Sequence, residues 1–227
     1  IIFTIIVIST FIASSNIIND IFDQKTDYIN NQKKIDKSKI IYVYIILLFL
    51  LIIGIYSALQ LNYNSKIISL NIVLPLIILY TPIFKGIPLL GNLLVSLLVG
   101  LVFIFSEIAI YNLIDKSIFP SIFAFLLTFI RELIKDLEDI KGDALSLIQT
   151  YPVVYGEKKT ILLSIYLMGL LNIIVLIPYL FYFYNLKYLI AVIIGVIFPN
   201  SYCIIYFIKK RLKYNFQYIQ TIQKIIT

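Results

Sequence analysis

From Ile40 to Leu59 the chain runs for twenty residues without a charged side chain. About twenty predominantly apolar residues are what an α-helix needs to cross a hydrocarbon core. Backbone groups in lipid must satisfy one another, so a run of this kind dictates helix. A membrane barrel would instead show short segments of alternating polarity, and none are visible. Apolar runs recur at about 1–18, 40–60, 67–84, 93–113, 118–134, 160–184 and 187–208, which predicts seven spans. With 61% hydrophobic residues and a mean hydropathy of +0.98, the chain is more apolar than a soluble core of this length requires. The expected class is therefore all-α, a polytopic transmembrane helix bundle in a single domain over 1–227.

Charge gives the bundle an orientation. Counting the connections alternately, one side receives the 19–39, 85–92 and 135–159 segments, the adjoining Arg131 and the tail from Lys209. That side holds sixteen Lys and Arg; the other has only Lys66, Lys116 and Lys187. Basic residues accumulate in cytoplasmic loops, so the rich side is expected to be cytoplasmic, in the cell membrane. This one-sidedness accounts for the net charge of +7 without a nucleic-acid partner, and nothing in the sequence marks a protein partner. There is no histidine and a single cysteine, Cys203, which removes imidazole bases, His-zinc chemistry and intrachain disulfides. The chain begins inside an apolar span and lacks a basic segment before it, so 1–15 does not read as a signal peptide. Truncation at both ends is the expectation. The stretch "YNFQYIQTIQKIIT" reads as an amphipathic segment on the cytoplasmic side.

Eight of the twelve acidic residues fall in two short windows on that basic side. The first, "NDIFDQKTD", holds Asp20, Asp23 and Asp27. The second, with Glu132 and "KDLEDIKGD", holds Asp136, Glu138, Asp139 and Asp143. If each window continues a helix, Asn19, Asp23 and Asp27 (i, i+4, i+8) share a face. So do Glu132, Asp136, Asp139 and Asp143 (i, i+4, i+7, i+11). Asp20 and Glu138 are expected to point elsewhere. Stacked carboxylates repel unless something positive sits between them. Oxygen ligands without nitrogen or sulfur suit Mg²⁺, which takes one or two carboxylates and fills its shell with water and phosphate oxygens. Two such faces across a cavity could grip a diphosphate, with Arg131, Lys135 and Lys141 offsetting the remaining charge. On spacing alone, a pair of solvated loops accounts for the same residues equally well.

The ordered set of motifs resembles the UbiA superfamily of intramembrane prenyltransferases. The family's first motif, N-D-x-x-D-x-x-x-D, matches Asn19, Asp20, Asp23 and Asp27; its second, K-D-x-x-D-x-x-G-D, matches Lys135, Asp136, Asp139, Gly142 and Asp143. "YTPIFKGIPLLGN" resembles the segment with Tyr80, Lys85 and a closing Gly-Asn at Asn92, and "TYPVVYG" resembles the T-L-P-x-x-x-G after the second motif. The resemblance implies nine helices, of which the seven spans correspond to the second through eighth. Two departures stand out. "YINNQKKIDKSKI" lacks the family's arginine, proline and glycine, leaving Lys33 or Lys34 in the place of a phosphate-facing arginine, and "ALSLIQ" lacks the usual glycine.

By that resemblance the protein is a Mg²⁺-dependent transferase of prenyl groups. Asp23, Asp27, Asp139 and Asp143 would hold the metal, with Asn19 and Asp136 assisting. Lys85, Tyr80, Asn92, Arg131 and Lys135 would lie near the substrates. The run "RELIKDLEDIKGD" resembles the archaeal ether-lipid branch, which moves geranylgeranyl from its diphosphate to the hydroxyl of geranylgeranylglyceryl phosphate. An aromatic acceptor of quinone or chlorophyll-type pathways, or an inactive membrane fragment of the family, remains as the alternative. A soluble isoprenoid synthase with aspartate-rich motifs would have amphipathic helices, which twenty uncharged residues contradict. Glu107, acidic inside the span 93–113, is a further functional candidate, with a paired structural role as the competing account.

Overall fold

The computed structural model describes residues 1–29, 40–209 and 214–226, with side chains throughout except at 24–29. Among the described residues there is no strand. The helices are α1 (Ile2–Ile29), α2 (Ile40–Leu59), α3 (Tyr63–Phe84), α4 (Leu90–Tyr111), α5 (Ile118–Leu145), the short α6 (Tyr151–Tyr155), α7 (Glu157–Leu180), α8 (Leu186–Lys209) and α9 (Phe216–Ile226). The chain is an integral membrane protein, and α2 shows why: Ile41, Leu48, Phe49 and Ile52 stand exposed along it, a surface that suits lipid and not water.

Among the described residues six helices are long and apolar enough to span: α1, α2, α3, α4, α7 and α8. The sequence predicts a seventh over 118–134. That segment is indeed the first part of α5, but Arg131, Glu132 and Lys135 interrupt its apolar run. These charges are tolerated because α5 faces protein on most sides. It packs against α4 and α1 on one flank and against α6, α7 and α9 on the other. Ile130, Leu133, Ile134 and Leu137 are its fully or almost fully buried ridge.

Two apolar cores result. The larger joins α5 to α7, α8 and α9 through Met168, Leu171, Phe207 and Ile219. The smaller ties α1 to α2, α3 and α4 through Val7, Phe11, Ala58, Ile77 and Phe105. At Gly100 a Cβ would lie 2.8 Å from the Ser121 carbonyl oxygen, so α4 and α5 meet backbone to backbone.

Among the described residues three stretches are π-helical: Ile67–Val73 and Tyr80–Phe84 in α3, and Ile193–Ile197 in α8. Each contains or closely precedes a proline (Pro75, Pro82, Pro199). Proline lacks an N–H and crowds the carbonyl four residues back, so the ladder slips locally to five-residue bonds rather than break.

On the side away from the motifs, Glu107 is held by hydrogen bonds. Its carboxylate accepts from the amides of Asp115 (2.9 Å), Lys116 (3.0 Å) and Ser117 (3.1 Å), and from Ser117 Oγ (2.6 Å). These donors belong to the connection between α4 and α5, so the acid ties that turn back onto the end of α4. These contacts favour the paired structural role of Glu107 over the functional one.

The expected amphipathic tail is α9, laid on α5 with Ile219 and Gln223 fully buried. Gln223 Nε2 donates to Asn200 Oδ1 (3.2 Å), and Asn200 Nδ2 donates to the Met168 carbonyl (3.0 Å) and to Asn172 Oδ1 (2.9 Å). This polar chain fixes α9 to α8 and α7 where apolar contact alone would permit sliding.

Candidate active site

Helix α1 does not stop where its apolar stretch ends. It runs on through the first acidic window, so Asn19 and Asp23 lie one turn apart on one face. Across from them α5 runs on through the second window, with Glu132, Asp136, Asp139 and Asp143 stacked along one side. These six residues and Asp20 line a single polar cavity of about 160 Å³. The two windows, separated by more than a hundred residues in sequence, thus form opposite walls of one site.

The remaining lining comes from α3, α4 and the approach to α6. Tyr80 lies in the second π stretch and Lys85 directly follows it. In an α-helix residues five apart point about 140° from each other. The five-residue bond from the Lys85 amide to the Tyr80 carbonyl (2.9 Å) reduces that angle. Both side chains consequently reach the cavity. Gly91 allows the Lys85 loop to lie against the start of α4, since a Cβ there would stand 3.2 Å from Lys85 Cα and from its carbonyl oxygen. Asn92 follows, its Nδ2 donating to Asp136 Oδ2 at 2.8 Å. Thr150 Oγ1 donates to Asp143 Oδ2 at 3.2 Å.

Lys85 Nζ pairs with Asp23 Oδ2 and donates to Asn19 Oδ1 at 3.3 Å, so one cation ties down the first window. Lys135 lies in the same cavity. Two lysines against six carboxylates leave a surplus of negative charge. Burial, with the neighbouring Glu132 and Asp143 charges and against the Asn92 hydrogen bond, pushes the Asp136 carboxyl up to about 7. Burial and then Asp139 push Asp143 up to about 6. Lys135 is held above the ordinary lysine range by Glu132 first, against the cost of burial. Such a pocket is poised to take up positive charge.

Among the described residues no three acidic or cysteine side chains form a closed metal cluster. The donor set nevertheless fits Mg²⁺. It is all oxygen, spread over two walls, and leaves room for the water and phosphate oxygens that complete an octahedron around one or two carboxylates. A structural zinc site would be closed and would use nitrogen or sulfur.

Beside the polar cavity lies a larger one of about 480 Å³, walled by α1, α3 and α4 through Val7, Phe11, Ile77, Leu98 and Phe105. That volume is in the range of ligand sites. Tyr80 borders both cavities, so the polar pocket and the apolar chamber adjoin there.

Several sequence expectations can now be placed. Asn19, Asp23, Tyr80, Lys85, Asn92, Lys135, Asp136, Asp139 and Asp143 all meet in the polar cavity. Asp20, expected to point away, lies on its exposed rim. It is three residues from Asp23, a spacing that also makes helical neighbours. Arg131 lines the chamber instead, beside Glu132. Lys141 is exposed and outside both linings. Glu132, on the acidic face that the spacing predicts, lines the cavity too, as does Thr150, which opens the Thr-Tyr-Pro run. The Asp27 side chain, Lys33 and Lys34 fall outside the described residues.

Residues 1–218 match the UbiA prenyltransferase family. The chain belongs to that family. Among its relatives, a digeranylgeranylglyceryl phosphate synthase of Methanosphaera stadtmanae is 36% identical over 206 residues, covering 84% of this chain and 72% of the relative. A synthase of the same name from Sulfurisphaera tokodaii is 32% identical over 197 residues, covering 85% and 70%. A solved structure from work on digeranylgeranylglyceryl phosphate synthase in membranes superposes with a TM-score of 0.71 at 28% identity, over 99% of this chain and 80% of the other. The all-α bundle and the prenyl-transferring class read from the sequence stand.

Proposed function

We propose that this protein transfers geranylgeranyl from its diphosphate to the free hydroxyl of geranylgeranylglyceryl phosphate, a step of archaeal ether-lipid synthesis. The observation that carries the reading is the junction at Tyr80 of a carboxylate-lined polar pocket with an apolar chamber. Such a pair of spaces suits a substrate with a doubly phosphorylated head and a hydrocarbon tail. The relatives' shared name supports this acceptor over an aromatic ring.

In this mechanism the diphosphate lies between α1 and α5, and Lys85 and Lys135 face its oxygens. Asp23, Asp27, Asp136, Asp139 and Asp143 are the residues that would hold Mg²⁺, with Asn19 beside them. Bound there, Mg²⁺ supplies Lewis-acid stabilisation of charge on the departing diphosphate. Asn92 and Thr150 orient Asp136 and Asp143 through the hydrogen bonds described above. The allylic C–O bond breaks at the junction, where chamber walls of Val, Leu and Phe exclude water from the carbocation. The acceptor oxygen forms the new ether bond, and its proton leaves with the diphosphate. The sixteen basic residues on the motif side support a cytoplasmic-facing site in the cell membrane.

The test is radiolabelled transfer by the protein in vesicles, with and without Mg²⁺. Formation of the digeranylgeranyl product, dependent on a divalent ion, is expected. Turnover on hydroxybenzoate or a dihydroxynaphthoate with none on the glyceryl phosphate rejects the acceptor while keeping the prenyltransferase.

A further inference from the structure

Arg131 is out of place in its surroundings. The chamber it lines is otherwise hydrocarbon apart from Ser15, Asn16, Ser69 and Tyr80. A guanidinium carries five donors and stays ionised, so exposing it to an apolar wall is costly without an anionic partner. Glu132 meets part of that need: its Oε1 accepts from Arg131 Nη2 at 3.0 Å and from Nε at 3.4 Å. Both bonds go to one oxygen on one edge of the fork. Nη1 has no hydrogen-bond partner among the described residues. Glu132 also lines the polar cavity, so this pair straddles the wall between the two spaces, with the cation on the chamber side.

A second observation comes from α1. Asn16, Asn19 and Asp23 follow one another at i, i+3 and i+7, one helical face. Asn19 and Asp23 belong to the polar cavity, whereas Ser15 and Asn16 line the chamber. The polar stripe therefore continues past the diphosphate pocket into the chamber that Arg131 also lines. A space meant for hydrocarbon alone has no use for it.

We infer that Arg131, with Asn16 and Ser15 in the same lining, forms a second anion site that takes the phosphate monoester of the lipid acceptor. The inference rests on the proposed function and assigns the acceptor's head to a place in it. Charge separates the two anions. The polar pocket has six carboxylates against two lysines and accepts an anion only together with dications. A monoester that brings no metal is repelled there, and is attracted to a guanidinium that Glu132 engages on one edge only. With its phosphate on Arg131, the acceptor presents its hydroxyl toward the Tyr80 junction, where the allylic carbon is released.

The experiment compares two substrates and two variants, Arg131→Gln and Arg131→Lys, in vesicles. For Arg131→Gln, KM for the phosphorylated acceptor is expected to rise about 10- to 100-fold, the range for losing a charged hydrogen bond. KM for the prenyl diphosphate should stay within about threefold. Arg131→Lys should recover part of the loss, since lysine keeps the charge but not the fork. The wild-type protein should prefer the phosphorylated acceptor over the same lipid lacking its phosphate, and Arg131→Gln should abolish that preference. Equal KM increases for both substrates, or an unchanged acceptor KM, overturn the inference. So does a wild-type protein indifferent to the acceptor's phosphate, a result that needs no variant to fold. Inorganic phosphate competing as well as the lipid would identify a free-phosphate site and overturn it too. If no transfer to the glyceryl phosphate occurs, the functional reading falls. Retention of the phosphorylated against the dephosphorylated lipid on immobilised protein then decides the anion site separately.

Discussion

Gly100 and Gly169 offer a matched pair of perturbations. Both are helical, in α4 and α7, and both can be changed to alanine. Adding a Cβ lowers the conformational freedom of the unfolded chain equally at the two sites, for about 0.8–1 kcal/mol in favour of the helix in water. The surroundings differ. At Gly169 nothing lies within 4 Å of the new carbon, whereas at Gly100 it meets the Ser121 carbonyl oxygen at 2.8 Å and Phe125 Cβ at 3.3 Å. Ordinary contact begins near 3.4 Å, so α4 and α5 must separate by about half an ångström. The obstruction is backbone and cannot rotate away. Overpacking of this kind costs about 1–3 kcal/mol. Because the propensity gain cancels in the comparison, Gly100→Ala should be less stable than Gly169→Ala by that amount. The protein has no tryptophan, so unfolding is followed by far-ultraviolet circular dichroism in detergent. Activity should fall further than stability. α4 carries Asn92 and α5 carries Asp136, which must stay 2.8 Å apart, and a small displacement of reacting groups can cost about a hundredfold in rate. Equal stability for the two variants would show that the α4–α5 contact is not the close approach described, and the reasoning would fail with it.

Other perturbations separate the site from the scaffold. Asp23→Ala or Asp139→Ala should remove nearly all prenyl transfer while leaving the circular dichroism spectrum intact; a wild-type rate in Asp139→Ala would reject the carboxylate mechanism. Lys85→Ala should weaken prenyl diphosphate binding about 10- to 100-fold, measured by calorimetry with Mg²⁺ present, and unaltered binding would remove Lys85 from the site. Glu107→Ala should lower the unfolding temperature yet leave the rate per folded molecule unchanged, because its partners are the amides ahead of α5; a loss of kcat at constant stability would restore it as a functional residue. Gln223→Ala should cost about 1–3 kcal/mol by leaving Asn200 Oδ1 short of its buried donor, and a variant as stable as the wild type would mean that α9 is held by apolar contact alone.

The sequence made the spans and the acidic faces legible for a simple reason: lipid allows few structures, and carboxylates repeated at helical spacing are informative about direction. It was less informative about neighbours. Asp20 was excluded by a strict four-residue step, yet the cavity is wide enough to be bordered by the three-residue neighbour of Asp23 as well. Glu107 looked functional because acids inside spans are costly. Only the fold shows the three amides of the 112–117 connection turning back to meet it. The Tyr80–Lys85 pairing was hidden for a different reason. It depends on a π turn, which helical periodicity does not anticipate, although Pro82 marks the place.

Length explains why the two acidic windows meet at all. α1 and α5 are each 28 residues, about 42 Å at 1.5 Å per residue. The other spans run from 20 to 24 residues, close to the roughly 30 Å of a hydrocarbon core. The surplus in α1 and α5 is about two helical turns, and in both helices the carboxylates occupy the C-terminal part. Four connections separate the two helices, so they run parallel and overshoot the bilayer on the same side. The basic loops there give that surplus a favourable electrostatic setting. Two parallel helices continued past the membrane form facing carboxylate walls at the boundary between water and hydrocarbon. A charged head with an apolar tail meets both of its solvents there. A pair of aspartate windows on antiparallel spans, or on spans of ordinary length, would carry the same residues and build no such site.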